Sequence, residues 1–171
     1  MSATPSFDGA VSALGDALRT RGWMLASAES CTGGLIAAAC TAVAGSSDWF
    51  ERGFVTYSNA AKTEMLGVPA SLLAQHGAVS EEVACAMAEG ALRHSRAQLA
   101  VAVTGIAGPA GAVPGKPVGT VWLALARSGE PARAEVFTLP GDRGSVRAQT
   151  VELALARLHA LASIADTARG Y

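Results

Sequence analysis

Helical spacing of apolar residues first appears in residues 7–21, where Val11, Leu14 and Leu18 fall on one face. A second helix start is marked by Ser80, which is followed by two glutamates and predicts a helix running to about residue 93. Weaker patterns of the same kind, several of them bounded by glycine, predict helices over residues 35–43, 59–66, 69–75 and 146–165.

Continuous apolar runs predict buried strands over residues 23–28, 54–57 and 99–104. Residues 118–127 and 133–139 are predicted to pair as a hairpin, because the turn sequence Ser-Gly-Glu-Pro separates them. Strands that alternate with helices, together with one hairpin, indicate the α/β class: a three-layer α/β/α sandwich with a mixed, mostly parallel sheet. No repeat or linker divides the chain, so we expect residues 1–171 to form a single domain with residues 1–7 as a loose N-terminal arm.

Composition narrows the range of partners. Half of the residues are hydrophobic and the formal net charge is −1 without a basic patch, so a nucleic acid is not an expected partner. The apolar runs are too short to cross a membrane, and no signal peptide is visible at the N-terminus. The three cysteines are odd in number and lack CxxC spacing, which favours the reducing cytoplasm.

Residues 28–34, Ala-Glu-Ser-Cys-Thr-Gly-Gly, join a predicted strand to a predicted helix. Ser30 is the candidate nucleophile of this turn, since Gly33 and Gly34 let a ligand approach the backbone and the helix start offers N–H groups to an oxyanion. A serine that merely caps the helix fits the same pattern. Cys31 is a rival nucleophile, but a thiolate needs a cationic partner, and we predict that Cys31 packs in the interior.

The candidate base is Lys62, which follows Tyr57 by five positions near another strand end. None of the three histidines lies in a motif, so a Ser-His-Asp triad and a metal site both lack support. An unperturbed lysine amine has a pKa of about 10.4, which burial lowers. Tyr57 is expected to hydrogen-bond Ser30 or Lys62 and relay a proton. A solvated lysine beside a half-buried tyrosine is the alternative interpretation.

A loop rich in glycine and proline, residues 105–119, follows a predicted strand. Loops in this position commonly line a ligand crevice in an α/β sheet, and the Walker spacing of a phosphate-binding P-loop is absent. Arg143 and Arg147 flank the start of the last predicted helix, where guanidinium groups and helix amides suit a phosphate. An exposed arginine pair fits this pattern equally well.

Three segments resemble the CinA carboxy-terminal domain family, which includes the nicotinamide-nucleotide amidohydrolases. They are residues 28–34; Thr-Tyr-Ser-Asn at 56–59 with Lys62 and Leu-Gly-Val at 66–68; and Thr-Gly-Ile-Ala-Gly-Pro at 104–109 with Lys-Pro-Val-Gly at 116–119. The likeness covers nearly the whole chain in the same order and at similar spacing. One departure is Ala112, where this family often has glycine.

The resemblance implies an α/β/α fold and hydrolysis of the carboxamide of nicotinamide mononucleotide (NMN) to nicotinate mononucleotide and ammonia, within pyridine-nucleotide salvage. It implies Ser30 as nucleophile, with Lys62 and Tyr57 completing the catalytic set and no metal or organic cofactor. The pocket is expected to be lined by Thr104 and Gly105, and the oxyanion to meet backbone amides of Thr32, Gly33 and Gly34.

The alternative reading is a catalytically silent nucleotide-binding or interaction module linked to competence or DNA damage. An apolar helix of small residues, 35–43, is suited to a subunit contact, so a homo-oligomer is expected.

Overall fold

A computed structural model describes residues 6–165 of the chain. The strands of this part are β1 Leu25–Glu29, β2 Phe50–Val55, β3 Leu99–Gly105, β4 Thr120–Arg127 and β5 Arg133–Thr138. The α-helices are α1 Asp8–Arg21, α2 Leu35–Thr41, α3 Asn59–Leu66, α4 Ala70–His76, α5 Glu81–Arg93 and α6 Arg143–Ser163. Most of the arm expected at residues 1–7 lies outside the described residues.

The strands form one mixed sheet in the order β2-β1-β3-β4-β5. β1 pairs in parallel with β2 and β3, whereas β3–β4 and β4–β5 are antiparallel pairs. Four of the five strands therefore run in one direction and only β4 runs against them. The carboxyl ends of β1, β2 and β3 consequently meet at one edge of the sheet, next to one another, where ligands bind in open α/β sheets.

Helices cover both faces of the sheet and bury two separate apolar cores. Leu14 of α1 and Leu155 of α6 pack against Leu25 and Val101 on one face. On the other face, Met87 of α5 packs against a surface of small residues, which includes Ala26, Ala28, Ala100 and Ala102. Side chains alternate between the two faces along a strand, which is why Leu25 and Ala26 belong to different cores. The predicted three-layer α/β/α sandwich is confirmed.

Most element boundaries lie within two residues of the sequence prediction, and two element starts differ by more. The strand predicted over residues 54–57 is β2, Phe50–Val55, and it begins four residues earlier than predicted. Its first residues were not recognised in the sequence because β2 is an edge strand paired only with β1, and it exposes polar side chains such as Arg52. The last helix begins at Arg143 rather than at residue 146, because Asp142 Oδ1 accepts a hydrogen bond from the Ser145 amide at 2.8 Å and caps it. Within residues 6–165, no helix has the length and apolar character needed to cross a membrane.

Candidate active site

A cavity of about 220 Å³ opens at the edge of the sheet where the three parallel strands end. Its walls come from the segments that follow these strands, from the loop between α4 and α5, and from the first residue of α6. The lining residues are Ser30, Cys31, Tyr57, Asn59, Lys62, Ala78, Val79, Thr104, Gly105, Ala107 and Arg143. The fold thus brings together six of the ten predicted site residues in one small cavity.

Ser30 and Lys62 meet in this cavity. The Ser30 amide donates to the Val103 carbonyl at 3.0 Å, which continues the pairing of β1 with β3 and holds the serine at the strand end. Lys62 lies in α3, whose start is capped by Ser58. Lys62 Nζ is 3.1 Å from Ser30 Oγ, and it donates to the Thr56 carbonyl oxygen at 2.9 Å. The lysine amine and the serine hydroxyl are therefore within reach of direct proton transfer.

Burial tunes the lysine amine. The Lys62 side chain is 1% exposed, so its charged form loses most of its hydration. This desolvation lowers the pKa of Lys62 from its ordinary value, and the neighbouring Cys31 opposes the shift only in part. A lowered pKa raises the fraction of neutral amine near neutral pH, which is the form that accepts a proton.

Cys31 is buried beside the serine, and burial raises the pKa of its thiol to about 11. At neutral pH the sulfur is therefore protonated and a weak nucleophile. This burial confirms the prediction that Cys31 packs in the interior.

Glu29 has a structural part in this turn that sequence reasoning missed. Its side chain is 1% exposed, and its carboxylate accepts hydrogen bonds from the Thr32 hydroxyl at 2.6 Å and from the Ile36 and Ala37 amides at 2.8 and 3.1 Å. The carboxylate thereby caps the first turn of α2, where negative charge is favourable. The sequence signal that could have identified Glu29 is an acidic residue just before a predicted helix start.

The turn after Ser30 needs its two glycines. Gly33 and Gly34 have φ of 57° and 104°, a region that L side chains rarely adopt. The Gly33 amide donates to the Ser30 carbonyl at 3.0 Å, so it closes the turn. Thr32, Gly33 and Gly34 do not line the cavity; their predicted role as oxyanion donors stays a prediction. In the described part of the chain, the amides of Cys31 and Thr32 donate to no other residue.

Tyr57 lies at the mouth of the cavity and is 62% exposed. Its phenol oxygen accepts a hydrogen bond from Arg143 Nη2 at 2.9 Å, and within residues 6–165 it forms no hydrogen bond with Ser30 or Lys62. Arg143 also donates through Nη1 to the Gly108 carbonyl at 3.0 Å. The arginine thus bridges the segment after β2 and the glycine-rich loop across the cavity mouth.

Thr104 and Gly105 end β3 and form part of the cavity wall. The Thr104 hydroxyl donates to the Ala78 carbonyl at 2.9 Å and so holds a neighbouring part of that wall. A Cβ atom at Gly105 would lie 2.7 Å from Val121 Cγ2 and 2.8 Å from the Thr120 carbonyl oxygen. Only glycine lets β4 approach this closely.

Arg147 lies outside the cavity, although the sequence paired it with Arg143. Its Nε donates to the Cys31 carbonyl at 3.1 Å and its Nη2 to the Thr32 carbonyl at 3.2 Å. The same side chain faces a larger cavity of about 640 Å³ between α1, α2 and α6, which contains none of the other predicted site residues. The structure therefore separates the two arginines that the sequence grouped together.

The fold and the site define an α/β/α protein in which a strand-end serine meets a buried lysine amine inside a small cavity. The sequence model of the CinA C-terminal domain matches residues 8–162, and the chain belongs to this family.

Several relatives match most of the chain. A nicotinamide-nucleotide amidohydrolase, PncC, of Escherichia coli (strain K12) is 56% identical over 147 residues, which cover 85% of this chain and 88% of the relative. A CinA-like protein of Citrifermentans bemidjiense is 61% identical over 138 residues, 81% of this chain but 33% of that longer relative. The crystal structure of the competence/damage inducible protein CihA from Agrobacterium tumefaciens superposes with a TM-score of 0.89 at 46% identity, covering 94% of this chain and 99% of the other.

Proposed function

We propose that this protein hydrolyses the carboxamide of NMN to nicotinate mononucleotide and ammonia, as a step of pyridine-nucleotide salvage. The observation that carries this proposal is the contact of 3.1 Å between Lys62 Nζ and Ser30 Oγ inside a cavity lined by strand ends. The substrate is inferred from the 56% identity to the E. coli amidohydrolase.

In the proposed first step, neutral Lys62 takes the Ser30 proton while Ser30 Oγ attacks the carboxamide carbon. The Thr56 carbonyl holds the amine at 2.9 Å, and burial lowers the pKa of Lys62 from its ordinary value, which favours the neutral amine that this role needs. Backbone amides of the turn after Ser30 stabilise the oxyanion, and the cationic pyridinium draws electron density from the carbonyl. The Cys31 amide is a candidate donor, because Cys31 lines the cavity and its amide donates to no other described residue.

The tetrahedral intermediate then collapses. The C–N bond breaks, the proton held by Lys62 passes to the leaving nitrogen, and ammonia departs, which leaves an ester on Ser30. Water attacks this ester, Lys62 accepts the water proton, and the C–O bond to Ser30 breaks as the serine is reprotonated. The scheme calls on no metal or organic cofactor.

Arg143 is the proposed partner of the 5′-phosphate. It lines the cavity, and its two terminal nitrogens now bind Tyr57 and the Gly108 carbonyl, neutral oxygens that a phosphate would outcompete. Phosphate binding would thereby release the Tyr57 hydroxyl, which is then free to reach the Ser30–Lys62 pair as a proton relay. Thr104 and Gly105 supply the wall against which the pyridine ring rests.

The test is to incubate the chelator-treated protein with NMN and measure ammonia and nicotinate mononucleotide together. Equal release of both products, lost in Ser30→Ala with an unchanged circular dichroism spectrum, is the expected result. Full activity of Ser30→Ala would refute the nucleophile assignment. NMN binding by calorimetry without product release would instead support a catalytically silent nucleotide-binding module.

A further inference from the structure

We infer that Arg147 is a positioning residue, which holds the turn that carries Ser30 in its reactive geometry and takes no part in phosphate binding. The inference rests on the proposed role of Ser30 as nucleophile. It starts from two hydrogen bonds across a long sequence separation: Arg147 Nε to the Cys31 carbonyl at 3.1 Å and Nη2 to the Thr32 carbonyl at 3.2 Å.

These bonds fix two consecutive peptide groups in the turn after Ser30, the one that joins Cys31 to Thr32 and the one that joins Thr32 to Gly33. A trans peptide is planar, with its carbonyl and the following N–H pointing in opposite directions. An arginine fork that holds the carbonyls of Cys31 and Thr32 therefore also sets the directions of the Thr32 and Gly33 amides. The Gly33 amide is the one that closes the turn on the Ser30 carbonyl at 3.0 Å. Through this chain of bonds, α6 controls the backbone that presents Ser30 to Lys62.

Thr32 is held from two sides. Its hydroxyl donates to the buried Glu29 carboxylate at 2.6 Å, and its carbonyl accepts from Arg147. Gly33 lies beside the same guanidinium, since a Cβ atom there would be in ordinary van der Waals contact with Arg147 Nη2 at 3.6 Å, and its φ of 57° favours glycine. Glu29 anchors the turn to α2, and Arg147 anchors it to α6.

The position of Arg147 separates its role from that of Arg143. Arg143 lines the active-site cavity and offers its guanidinium to the cavity mouth. Arg147 is absent from that lining, and two of its nitrogens are committed to backbone carbonyls. A residue that binds phosphate affects substrates that carry a phosphate. A residue that positions the nucleophile affects every substrate alike.

The experiment compares kcat and KM for NMN and for nicotinamide riboside, which lacks the phosphate. For Arg147→Met we expect kcat to fall on the order of a hundredfold with both substrates, since a displacement of about 1 Å at a reacting group has an effect of this size. KM should change little, and Arg147→Lys, which keeps one donor, should recover part of the rate. Arg143→Met should instead raise KM for NMN alone. Arg157→Met is the matched control, because Arg157 lies on the same helix but pairs with Glu135 at the surface.

A higher KM for NMN with unchanged kinetics on the riboside would overturn the inference for Arg147, as would wild-type kinetics on both substrates. If Arg147→Met does not fold, the Arg147→Lys variant decides: a fall in kcat shared by the two substrates supports positioning, and a change confined to NMN refutes it.

A second measurement tests the role of Arg147 without depending on the proposed reaction with NMN. Phenylmethanesulfonyl fluoride forms an S–O bond with Ser30 Oγ as fluoride leaves and the serine proton passes to Lys62. The rate of this labelling, followed by mass spectrometry, should fall in Arg147→Met and not in Arg157→Met. A protein that is labelled but does not release ammonia from NMN would refute the proposed substrate, and the labelling rates would still decide the role of Arg147. Equal labelling of the wild type and Arg147→Met would overturn it.

Discussion

Replacing Lys62 with methionine removes the amine and keeps a side chain of similar length in a site that is 1% exposed. The change deletes the contact with Ser30 Oγ at 3.1 Å and the hydrogen bond to the Thr56 carbonyl at 2.9 Å. A positioned general base typically contributes about 10²–10⁴-fold to the rate, equivalent to about 3–5 kcal/mol of activation free energy. We expect the kcat of Lys62→Met to be lower than that of the wild type by a factor in this range.

The assay is ammonia release from NMN as a function of pH, with wild type, Lys62→Met and Lys62→Arg compared. Wild-type kcat should rise with pH as Lys62 loses its proton, and the midpoint should lie below the ordinary lysine pKa of about 10.4 because burial lowers the pKa of this amine. Lys62→Arg keeps a cation that does not deprotonate in this range, so it should be as inactive as the methionine variant. A rate within tenfold of wild type in Lys62→Met would refute the base assignment.

The lowered pKa of Lys62 also makes the free energy of unfolding depend on pH. Between the folded pKa of Lys62 and the unfolded value of about 10.4, the unfolded state binds more protons, so the free energy of unfolding rises with pH in this window. Below the folded pKa, the full cost of burying the charged amine is present. Relative to wild type, Lys62→Met should therefore be most favoured below the folded pKa of Lys62 and lose this advantage as pH rises towards about 10.4. Urea unfolding at several pH values measures the difference, and a pH-independent difference would contradict a lowered pKa.

Two further substitutions test the turn that carries Ser30. Cys31→Ala should keep kcat within a few-fold of wild type, because a thiol with a pKa of about 11 is not the reactive group; loss of activity comparable to Ser30→Ala would reverse this assignment. Glu29→Ala should lower the free energy of unfolding by about 3 kcal/mol or more, because a charged acceptor of three hydrogen bonds is lost and one buried and one partly buried backbone amide lose their partner. Chemical denaturation measures this change, with Glu135→Ala, an exposed carboxylate paired with Arg157, as the control; equal stability of the two variants would contradict it.

Local sequence signals were enough for most elements of the fold. The helix that starts at Ser80 is present as α5, with the Ser80 hydroxyl accepting from the Val83 amide, and the predicted hairpin is present as β4 and β5. These elements are determined by short-range spacing, capping and turn chemistry. The start of β2 was missed because an edge strand needs one buried face only, so its polar residues conceal it.

Only some of the contacts in the candidate site could be predicted from the sequence. Ser30 and Lys62 were predicted as candidate nucleophile and base, and the structure places the two side chains in contact. The partner of Tyr57 was expected to be one of these two residues, yet the phenol binds Arg143, which is 86 positions away. Glu29 was passed over, because its three hydrogen-bond donors become neighbours only when the turn folds back on the carboxylate.

The sequence by itself determined the chemistry that is available: a serine on a glycine-rich turn, a lysine in a short helix, and two arginines at a helix start. Only the tertiary structure decided which of these groups contact one another. Parallel pairing of β1 with β2 and β3 brings three strand ends to one edge, which buries Lys62 against Ser30. Arg143 and Arg147 lie one helical turn apart on α6. The packing of that helix against the rest of the protein places the guanidinium of Arg143 at the cavity and that of Arg147 on the backbone of the turn after Ser30. Such long-range contacts depend on how whole elements pack, and no local pattern along the chain contains them.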